Sequence, residues 1–448
     1  MKADGRFTLA VTGDSTVNMR ISACQDPGFL SLIGLVRGAD AAFTHVEATM
    51  HEFAGPELYP AAEGGWVWMR SPSFAADELR WAGFDIVSLA SNHSLDYSYG
   101  GLFATWKALA AAGLVHAGTG RNLAQARAPV YLDTPKARVA LISISATFPS
   151  WARAGEQRHD FPGRPGLNPL RWHYAGDRDC LDAVRRVAVQ LGWWVTEDDR
   201  NLIIHPPGIH NSYQRLILSD DSQLTMVADE DDVEGNLTSI REARRSADVV
   251  IVQLHNHEWD PVSGSLAVPP PFVPTFARAA IDAGASVFVA QGSHAPLRGL
   301  ELYRGRPILY DPGDFVKMGR TIPLQPADFY LRPDYSPEAR TAATFGEGLA
   351  AKAAADRPFN PPAAYSKEPG VVVALCHFSS TLELQELELV PASFLTAPRS
   401  ALGAPALATG QAAEAVLRHL QELSAPFGTE IGIEDGRGRL LAADLAAT

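Results

Sequence analysis

The residues best suited to chemistry in this sequence stand at the ends of short apolar runs. Five runs stop at side chains that can bind a metal ion: Gly13-Asp14, His45-x-Glu47, Asn92-His93, His255-Asn256-His257-Glu258 and Gln291-Gly292-Ser293-His294. A mixture of carboxylate, imidazole and amide oxygen suits a borderline divalent ion such as Mn, Fe or Zn, whereas Mg or Ca favours oxygen ligands alone. The pattern predicts one or two divalent ions per chain and leaves the identity of the metal open.

Each of these residues also has an ordinary structural interpretation. Asp14 can cap a helix that begins near Ser15, and Asn92 or Ser94 can cap the helix that follows it. Glu47 can be a surface carboxylate. The carboxyl ends of strands in an open α/β sheet meet at one edge, so five such strand ends favour convergence on one site over coincidence.

The composition describes a large acidic chain without a membrane span. Its 448 residues exceed the usual size of a single core. The net charge of −13 argues against nucleic acid as a partner. There is no apolar run of membrane-spanning length and no signal-peptide pattern. Three widely spaced cysteines, Cys24, Cys180 and Cys376, indicate buried thiols in a reducing compartment. We therefore expect a cytoplasmic protein that binds neither nucleic acid nor membrane.

Strands that alternate with helices must position these residues. Strand patterns begin with RFTLAVTGD, recur to about residue 146, and resume at ADVVIVQLHNHEWD. The predicted helices include FLSLIGLVRGAD, SPSFAADELRWAG with a serine cap at Ser71 or Ser73, YGGLFATWKALAAAG, DDVEGNLTSIREARRSA and PTFARAAIDAG. This alternation predicts an α/β fold, a mixed or parallel sheet with helices on both faces.

Two stretches interrupt the alternation. Residues 147–230 begin with a segment rich in Pro, Gly, Arg and aromatic residues, followed by a helix near 180–192 and a hairpin of RNLIIHPPG with QRLILSDD. We interpret them as an insertion that caps the sheet. Residues 320–370 form a second, loop-rich excursion, after which two strands, a late helix and a terminal strand complete the edge of the sheet. We expect a single domain over residues 1–448 that contains both stretches.

Taken together, the motifs resemble the CapA family, named after a poly-γ-glutamate capsule protein, within the calcineurin-like metallophosphoesterase superfamily. The resemblance runs from about residue 8 to 320 and rests on TGDS, THVEA, SNHSLDY, HNHEWD and QGSHAPLRGLELYRGRPILYDPGDF. It implies the metallophosphoesterase fold, in which mixed β-sheets are layered with helices, and it implies a divalent metal cofactor.

The resemblance also implies roles for individual residues. The metal ligands would be Asp14, Glu47, Asn92, His255, His257 and His294. Proton transfer would fall to His93, Asp14 or His294, and Asp96 would orient His93.

Five further residues are candidates for binding the substrate. Arg70 and Arg298 can hold an anionic group, although a surface salt bridge explains either of them equally well. Trp66, Trp68 and Trp151 lie in irregular segments near the predicted rim and can grip an apolar side chain. Packing within the cap is the more common fate of tryptophan.

The chain departs from the family pattern at several motifs. Gln291 replaces the first histidine of His-Gly-Pro-His, His45 replaces the asparagine of Asn-Leu-Glu, and Ser91 replaces the first asparagine of Asn-Asn-His. Asp311-Pro-Gly-Asp314 stands where Ser-Leu-Gly-Asn is usual, and no histidine lies two residues after Asp14. These departures favour one well-held ion with a second, weaker site.

A weakened second metal site bears on the reaction. In-line displacement at phosphorus uses two ions, whereas removal of a proton beside a carbonyl needs one Lewis acid and an acid/base pair. The family resemblance includes a branch that epimerises lasso peptides. We therefore predict a metal-dependent epimerase of a peptide-like, carboxylate-bearing substrate. The alternatives are a metal-dependent hydrolase of an amide or phosphate ester and a non-catalytic accessory protein of polymer biosynthesis. The sequence does not indicate an oligomeric state.

Overall fold

Strands and helices alternate along most of the chain. The computed structural model describes residues 6–55, 57–63, 67–208, 213–294, 297–331, 347–348 and 370–441. The strands are β1 Phe7–Thr16, β2 Ala41–Val46, β3 Thr49–Met50, β4 Arg70–Ser71, β5 Ile86–Ser88, β6 Val115–Ala117, β7 Thr119–Gly120, β8 Val130–Asp133, β9 Arg138–Ser145, β10 Gly166–Leu167, β11 Trp172–Gly176, β12 Trp194–Glu197, β13 Asn201–His205, β14 Gln214–Leu218, β15 Thr225–Ala228, β16 Val249–His255, β17 Val287–Gln291, β18 Arg298–Tyr303, β19 Arg306–Asp311, β20 Val316–Lys317, β21 Val371–Phe378, β22 Leu384–Phe394, β23 Pro405–Leu407, β24 Gly432–Glu434 and β25 Arg437–Leu441. The α-helices are α1 Pro27–Gly38, α2 Ala75–Ala82, α3 Ser98–Ala111, α4 Leu123–Arg127, α5 Arg178–Gln190, α6 Glu230–Ser246, α7 Phe272–Ala283, α8 Ala327–Tyr330 and α9 Gly410–Ser424.

Two mixed sheets form the centre of the molecule. The larger has the strand order β24-β25-β22-β21-β1-β2-β5-β6, with β20 beside β1 and β23 beside β22. The smaller has the order β18-β19-β17-β16-β9-β8. Within the first sheet β1, β2, β5 and β6 are parallel, and within the second β9, β16, β17 and β19 are parallel. Polar residues that follow these strands therefore lie at the carboxyl edges of the two sheets.

The two sheets pack face to face, and helices cover their outer faces. Leu9 and Val11 of β1 pack against Val249 and Ile251 of β16 in the core between the sheets. The intervening Ala10 faces outward into the core shared with α1 and α2. On the other side, α6 and α7 cover the outer face of the smaller sheet. Because both faces of these strands are buried, their sequences are continuous apolar runs.

This layered arrangement confirms the predicted α/β class, with mixed sheets and helices on both sides. It is the architecture that the resemblance to the calcineurin-like metallophosphoesterase fold implies. The predicted serine cap of α2 is wrong: the helix begins at Ala75, and the residue before it, Phe74, makes no side-chain capping bond. The backbone N and Oγ of Ser73 both bond to Glu52 Oε1 instead.

The interruption after β9 contains more regular structure than the sequence suggested. A separate five-stranded sheet has the order β12-β13-β14-β11-β15, and α5 packs against it. The predicted hairpin is present as the antiparallel pair β13 and β14. The sheet also contacts the main fold, because the Trp172 ring stacks on Phe272 of α7 with ring centroids 6.2 Å apart. Most of the second predicted excursion, residues 332–346 and 349–369, lies outside the described residues.

Two further predictions concern the surroundings of the protein. None of the helices formed by the described residues is long and apolar enough to cross a membrane. All three cysteines are free thiols; Cys24 and Cys376 are buried, whereas Cys180 is partly exposed.

Candidate metal centre

Buried polar side chains collect where the carboxyl edges of the two large sheets meet. Asp14 lies on β1, Glu47 directly follows β2, and Asn92 and His93 lie in the loop after β5. His255 is the last residue of β16. All five are less than one tenth exposed, so the fold holds them away from bulk water.

Asp14 is positioned by a local irregularity in β1. The pairing of β1 with β2 shifts register just before Asp14. Gly13 touches the loop after β19 so closely that a Cβ atom would lie 1.7 Å from the oxygen of Gly313. Because β1 continues to Thr16, no helix begins near Ser15, and Asp14 is not a helix cap.

A compact turn positions the Asn92-His93 pair. The backbone N of Ser91 donates to Ser94 Oγ, and the backbone N of His93 donates to Ser91 Oγ. The next helix begins only at Ser98 and has no side-chain cap, so neither Asn92 nor Ser94 caps it. The turn therefore serves to hold Asn92 and His93 at the end of β5.

The carboxylate of Glu47 lies at the centre of the cluster. Its Oε1 atom is 3.4 Å from His294 Nε2, 3.6 Å from His255 Nε2, 3.7 Å from His257 Nε2 and 3.9 Å from His93 Nε2. No described residue makes a hydrogen bond to this buried oxygen. Ligands that bind one ion at about 2.0–2.2 Å are separated from each other by roughly 3–4 Å. The spacing around Glu47 therefore fits a shared cation.

Asn92 completes one set of possible ligands. Its Oδ1 lies 2.9 Å from His255 Nε2, which is also 2.9 Å from His257 Nε2. With Glu47, these residues bring carboxylate oxygen, amide oxygen and imidazole nitrogen together, the donor set of a borderline divalent ion. The residues that are present fit a metal cofactor.

A second group of possible ligands consists of Asp14, His294 and Asp314. His294 Nδ1 is 3.2 Å from Asp314 Oδ1, and Asp314 Oδ2 is 2.6 Å from Lys317 Nζ. The backbone of His294 has φ of +49°, a conformation that costs energy and is often retained at functional sites. Sequence reasoning did not assign Asp314 to the site, although its DPGD motif was recognised as a departure from the family.

His45 is a second site residue without an assigned role in the sequence. Its Nδ1 bonds to Ser88 Oγ at 2.7 Å, and its ring stacks on His255 at 4.9 Å between centroids. His45, Asp14 and His255 form a third group of possible ligands. His45 Nε2, Asp14 Oδ1 and His255 Nδ1 are buried, and none has a hydrogen-bond partner among the described residues.

Gln291 occupies the position where the family pattern has histidine. Its Nε2 donates to the backbone oxygen of Thr12 at 3.0 Å, which fixes the side chain. Its Oε1 is buried and unpartnered within the described structure. Gln291 is paired in register with His255, the residue that also contacts His45.

Two of the imidazoles are held by carboxylates. His93 Nδ1 is 2.6 Å from Asp96 Oδ2, which also accepts the backbone N–H of Met69. His294 is held in the same way by Asp314. In both pairs the carboxylate fixes the ring through Nδ1, and Nε2 faces Glu47.

Burial and neighbouring charges shift the pKa values of the histidines and of Asp14 in different directions. Burial lowers the pKa of His45 and of His257 to about 4 and also lowers that of His255, so these rings are neutral and their lone pairs are free for a cation. Burial, reinforced by Glu47 and Asp314, raises the pKa of Asp14 well above its usual range. Burial opposes ionisation of His294, but Glu47 and Asp314 outweigh it and raise its pKa.

The arginine candidates are both buried, and the structure describes no carboxylate that pairs with either of them. Arg70 Nη1 donates to the oxygen of His51, and its guanidinium lies 3.7 Å from the centre of the Phe53 ring. Arg298 donates to the backbone oxygens of Leu266 and Glu258. The alternative of a surface salt bridge is therefore excluded for both, and each fixes a neighbouring loop.

The three tryptophan candidates have different positions. Trp68 is buried and donates through Nε1 to the oxygen of Ala61, so it packs in the interior. Trp151 is partly buried and packs near Leu95, beside the loop that carries His93. Trp66 lies outside the described residues.

The part of the chain that holds the candidate ligands is also the part that is similar to known proteins. A family described as "Bacterial capsule synthesis protein PGA_cap" matches residues 8–318, which is more than half of the chain and includes every candidate ligand. Protein y4sH of Sinorhizobium fredii is 32% identical over 96% of this chain and 92% of its own length.

Two relatives with more informative names match a shorter part. A probable polyglutamine synthesis accessory protein of Mycobacterium tuberculosis is 29% identical, over 52% of this chain and 44% of its own length. The capsule biosynthesis protein CapA of Bacillus anthracis is 25% identical, over 52% of this chain and 40% of its own length.

Proposed function

The chain belongs to the bacterial capsule synthesis protein (PGA_cap, or CapA) family, and from this premise we propose that it is a metal-dependent enzyme that moves a proton at a Cα atom of a peptide. The leading form of the proposal is epimerisation of one residue in a ribosomal, lasso-type peptide. The coarser part of the proposal, a metal-dependent enzyme of this family, is supported by the buried cluster around Glu47.

One observation carries the finer part. Two imidazoles, His93 and His294, are each fixed through Nδ1 by a carboxylate, and their Nε2 atoms face the same Glu47 oxygen at 3.9 and 3.4 Å. Epimerisation removes a proton from one face of a carbon and returns one to the other, which needs two acid/base groups at one centre. The two histidines supply such a pair.

The remaining residues have distinct roles in this scheme. Asp96 and Asp314 fix the tautomers of the two histidines, and Lys317 holds Asp314. Asp14, whose pKa burial raises, is a third group that can hold a proton. A divalent ion held by Glu47, Asn92, His255 and His257 would polarise the substrate carbonyl when bound.

A metal-dependent hydrolase of an amide or phosphate ester is the second candidate. The observation in its favour is that two groups of possible ligands, Glu47-His255-His257 and Asp14-His294-Asp314, lie side by side. These two groups could each hold an ion, and a pair of ions would supply the Lewis-acid chemistry that hydrolysis uses. Asp314 thus supplies a possible metal ligand, which partly compensates for the family ligands that this sequence lacks.

Deuterium exchange distinguishes these reactions. The chain, loaded with Mn²⁺ or Zn²⁺, is incubated in deuterium oxide with a panel of peptides that includes lasso-type precursors, and the peptides are analysed by mass spectrometry. We expect a gain of one mass unit at a Cα atom. His93→Gln and His294→Gln should each lower the rate by about a hundredfold or more, since each removes an acid/base group.

His419→Gln is the matched control, because His419 is exposed on α9 and far in sequence from the cluster. It should exchange at the unaltered rate. Cleaved peptide or released phosphate without deuterium uptake would instead establish hydrolysis. If neither reaction occurs with any divalent ion, and if Asp14→Ala leaves the binding of partners unchanged, the non-catalytic accessory role is the remaining explanation.

A further inference from the structure

A cavity of about 380 Å³ lies between the segment after β9 and the five-stranded sheet. Its walls carry three arginines, Arg153, Arg171 and Arg215, and three aromatic residues, Phe148, Trp172 and Tyr213. Such a concentration of guanidinium groups is unexpected in a chain with a net charge of −13. The cavity therefore combines positive charge with apolar surface.

The positive charge of this cavity is only partly neutralised. Arg171 bonds to Asp232 through Nε and Nη2 and lies 3.0 Å from Asp229. Arg215 donates through Nε to Asn201 Oδ1 at 2.8 Å and lies 4.0 Å from Asp229, so its Nη atoms are only weakly paired.

The guanidinium of Arg153 makes no ion pair or hydrogen bond with any residue that the structure describes. Of the three arginines in the cavity wall, Arg171 is paired with carboxylates and Arg215 is partly paired, whereas the guanidinium of Arg153 is left for a ligand. Carboxylates are the planar acceptors that a guanidinium binds with two hydrogen bonds.

The cavity adjoins the candidate metal centre along the chain. Ala146, in its wall, donates its backbone N–H to the oxygen of His255. The next residue, Thr147, accepts the backbone N–H of His257 and donates to Glu258. Phe148 follows in the wall of the cavity. A ligand in the cavity is thus next to the segment that supports two candidate ligands.

The other wall connects with the proton-transfer loop. Phe148 and Trp151 pack against a small core that contains Ala90 and Leu95, on either side of His93. The wall of the cavity and the loop that carries His93 therefore share one small core.

We propose that this cavity binds an acidic side chain or the terminal carboxylate of the peptide substrate, with Arg153 and Arg215 as the cationic groups that recognise it. The identification of the ligand with the substrate rests on the proposed function, whereas the binding of an acidic peptide does not. The aromatic walls contact the hydrocarbon part of the bound residue, and the guanidinium groups of Arg153 and Arg215 contact its carboxylate.

The small amount of positive charge in the cavity favours an acidic peptide over nucleic acid as its ligand. One unpaired and one partly paired guanidinium suffice for one or two carboxylates, but a nucleic acid needs a long basic face.

Fluorescence anisotropy with a labelled hexaglutamate peptide tests the proposal on the full chain. We expect Arg153→Gln and Arg215→Gln each to weaken binding about fivefold, the usual effect of one partly exposed ion pair. The double variant R153E/R215E should lose measurable binding, and added salt should weaken binding to the unaltered chain.

Arg158→Gln is the matched control, because Arg158 is exposed in the same segment and pairs with Asp160 alone among the described residues. It should bind within twofold of the unaltered chain. Arg153 has no ion partner in the described structure, so a thermal melt of Arg153→Gln should coincide with that of the unaltered chain.

Several outcomes would overturn the proposal. Equal affinity of the Arg153→Gln and Arg158→Gln variants is one, and tighter, Arg153-dependent binding of an oligonucleotide with the same charge is another. Deuterium exchange that proceeds while binding is independent of Arg153 and Arg215 would refute the cavity alone. Arginine-dependent binding without any exchange would refute the epimerase and leave the cavity in place.

Discussion

Two buried groups of carboxylates in this molecule have opposite surroundings. Asp229 and Asp232, at the start of α6, are enclosed by Arg127, Arg171 and His173. Burial opposes ionisation of Asp229, but His173 and Arg171 outweigh it and lower the pKa of Asp229 to about 2. These carboxylates have their counter-charges within the fold.

In the metal centre Asp314 is paired with Lys317 and Glu47 faces His294, but Asp14 lacks such a partner within the described structure. Glu47 and Asp14 each have a buried oxygen with no hydrogen-bond donor among the described residues. Burial raises the pKa of Asp14, the opposite shift from that of Asp229. A buried anion without a partner costs free energy, and it persists where a ligand supplies the missing charge. The comparison teaches that the partners of a buried carboxylate, and not its burial, distinguish a stabilising group from a binding site.

The largest expected effect concerns Asp232, one of the two carboxylates that are paired with arginines. Asp232→Asn removes the charge that holds two arginines, so we expect the free energy of unfolding to fall by about 3 kcal/mol. Chemical denaturation followed by circular dichroism measures the change. The control is Glu234→Gln, whose exposed carboxylate pairs with Arg241 on the helix surface, so the free energy of unfolding should stay almost unchanged. Equal effects of the two substitutions would contradict the contrast.

The next prediction concerns His45 in the candidate metal centre. His45→Asn removes a buried, unpartnered nitrogen beside Asp14 and His255, and we expect the affinity for Zn²⁺ or Co²⁺ to fall about tenfold or more. Isothermal titration and the absorption spectrum of bound Co²⁺ measure this without reference to activity.

A second substitution sharpens the same prediction. H45N/Q291H returns an imidazole to the neighbouring position, so it should recover most of the affinity, whereas Q291H alone should not lower it. If His45→Asn binds the metal as tightly as the unaltered chain does, His45 is not part of the ligand set.

The smallest expected effect is a gain in stability, opposite in sign to the loss expected for Asp232→Asn. In the chain kept metal-free with a chelator, Asp14→Asn should raise the free energy of unfolding by about 1 kcal/mol, because it removes an unpartnered buried charge. The pKa of Asp14 is raised in the folded state, so stability is lost as pH rises through that pKa, and the advantage of the variant should grow as pH rises above the usual range of an aspartate pKa. A variant that is less stable than the unaltered chain at every pH would contradict this account.

Local patterns in the sequence predicted much of the framework. The apolar runs of β1 and β16 predict buried strands because both of their faces are covered, and α6 begins after Asp229 within two residues of the predicted start. The cap of α2 could not be predicted, because Ser73 is bound by Glu52, a residue twenty-one positions away. The five-stranded sheet was also missed, since β11 pairs with β14 and β15 across more than forty residues of chain.

The class of the fold, the family, and the strand ends at which Asp14, Glu47, Asn92 and His255 lie could be predicted from local periodicity and short motifs. Three features became visible only in the folded chain: Asp314 holds His294, His45 faces Asp14, and Arg153 lies in a cavity without an ion partner among the described residues. Which ring nitrogen faces which oxygen, and which charge lacks a partner, depend on side chains brought together from distant parts of the chain. That information lies in the packing of the two sheets and not in any single motif.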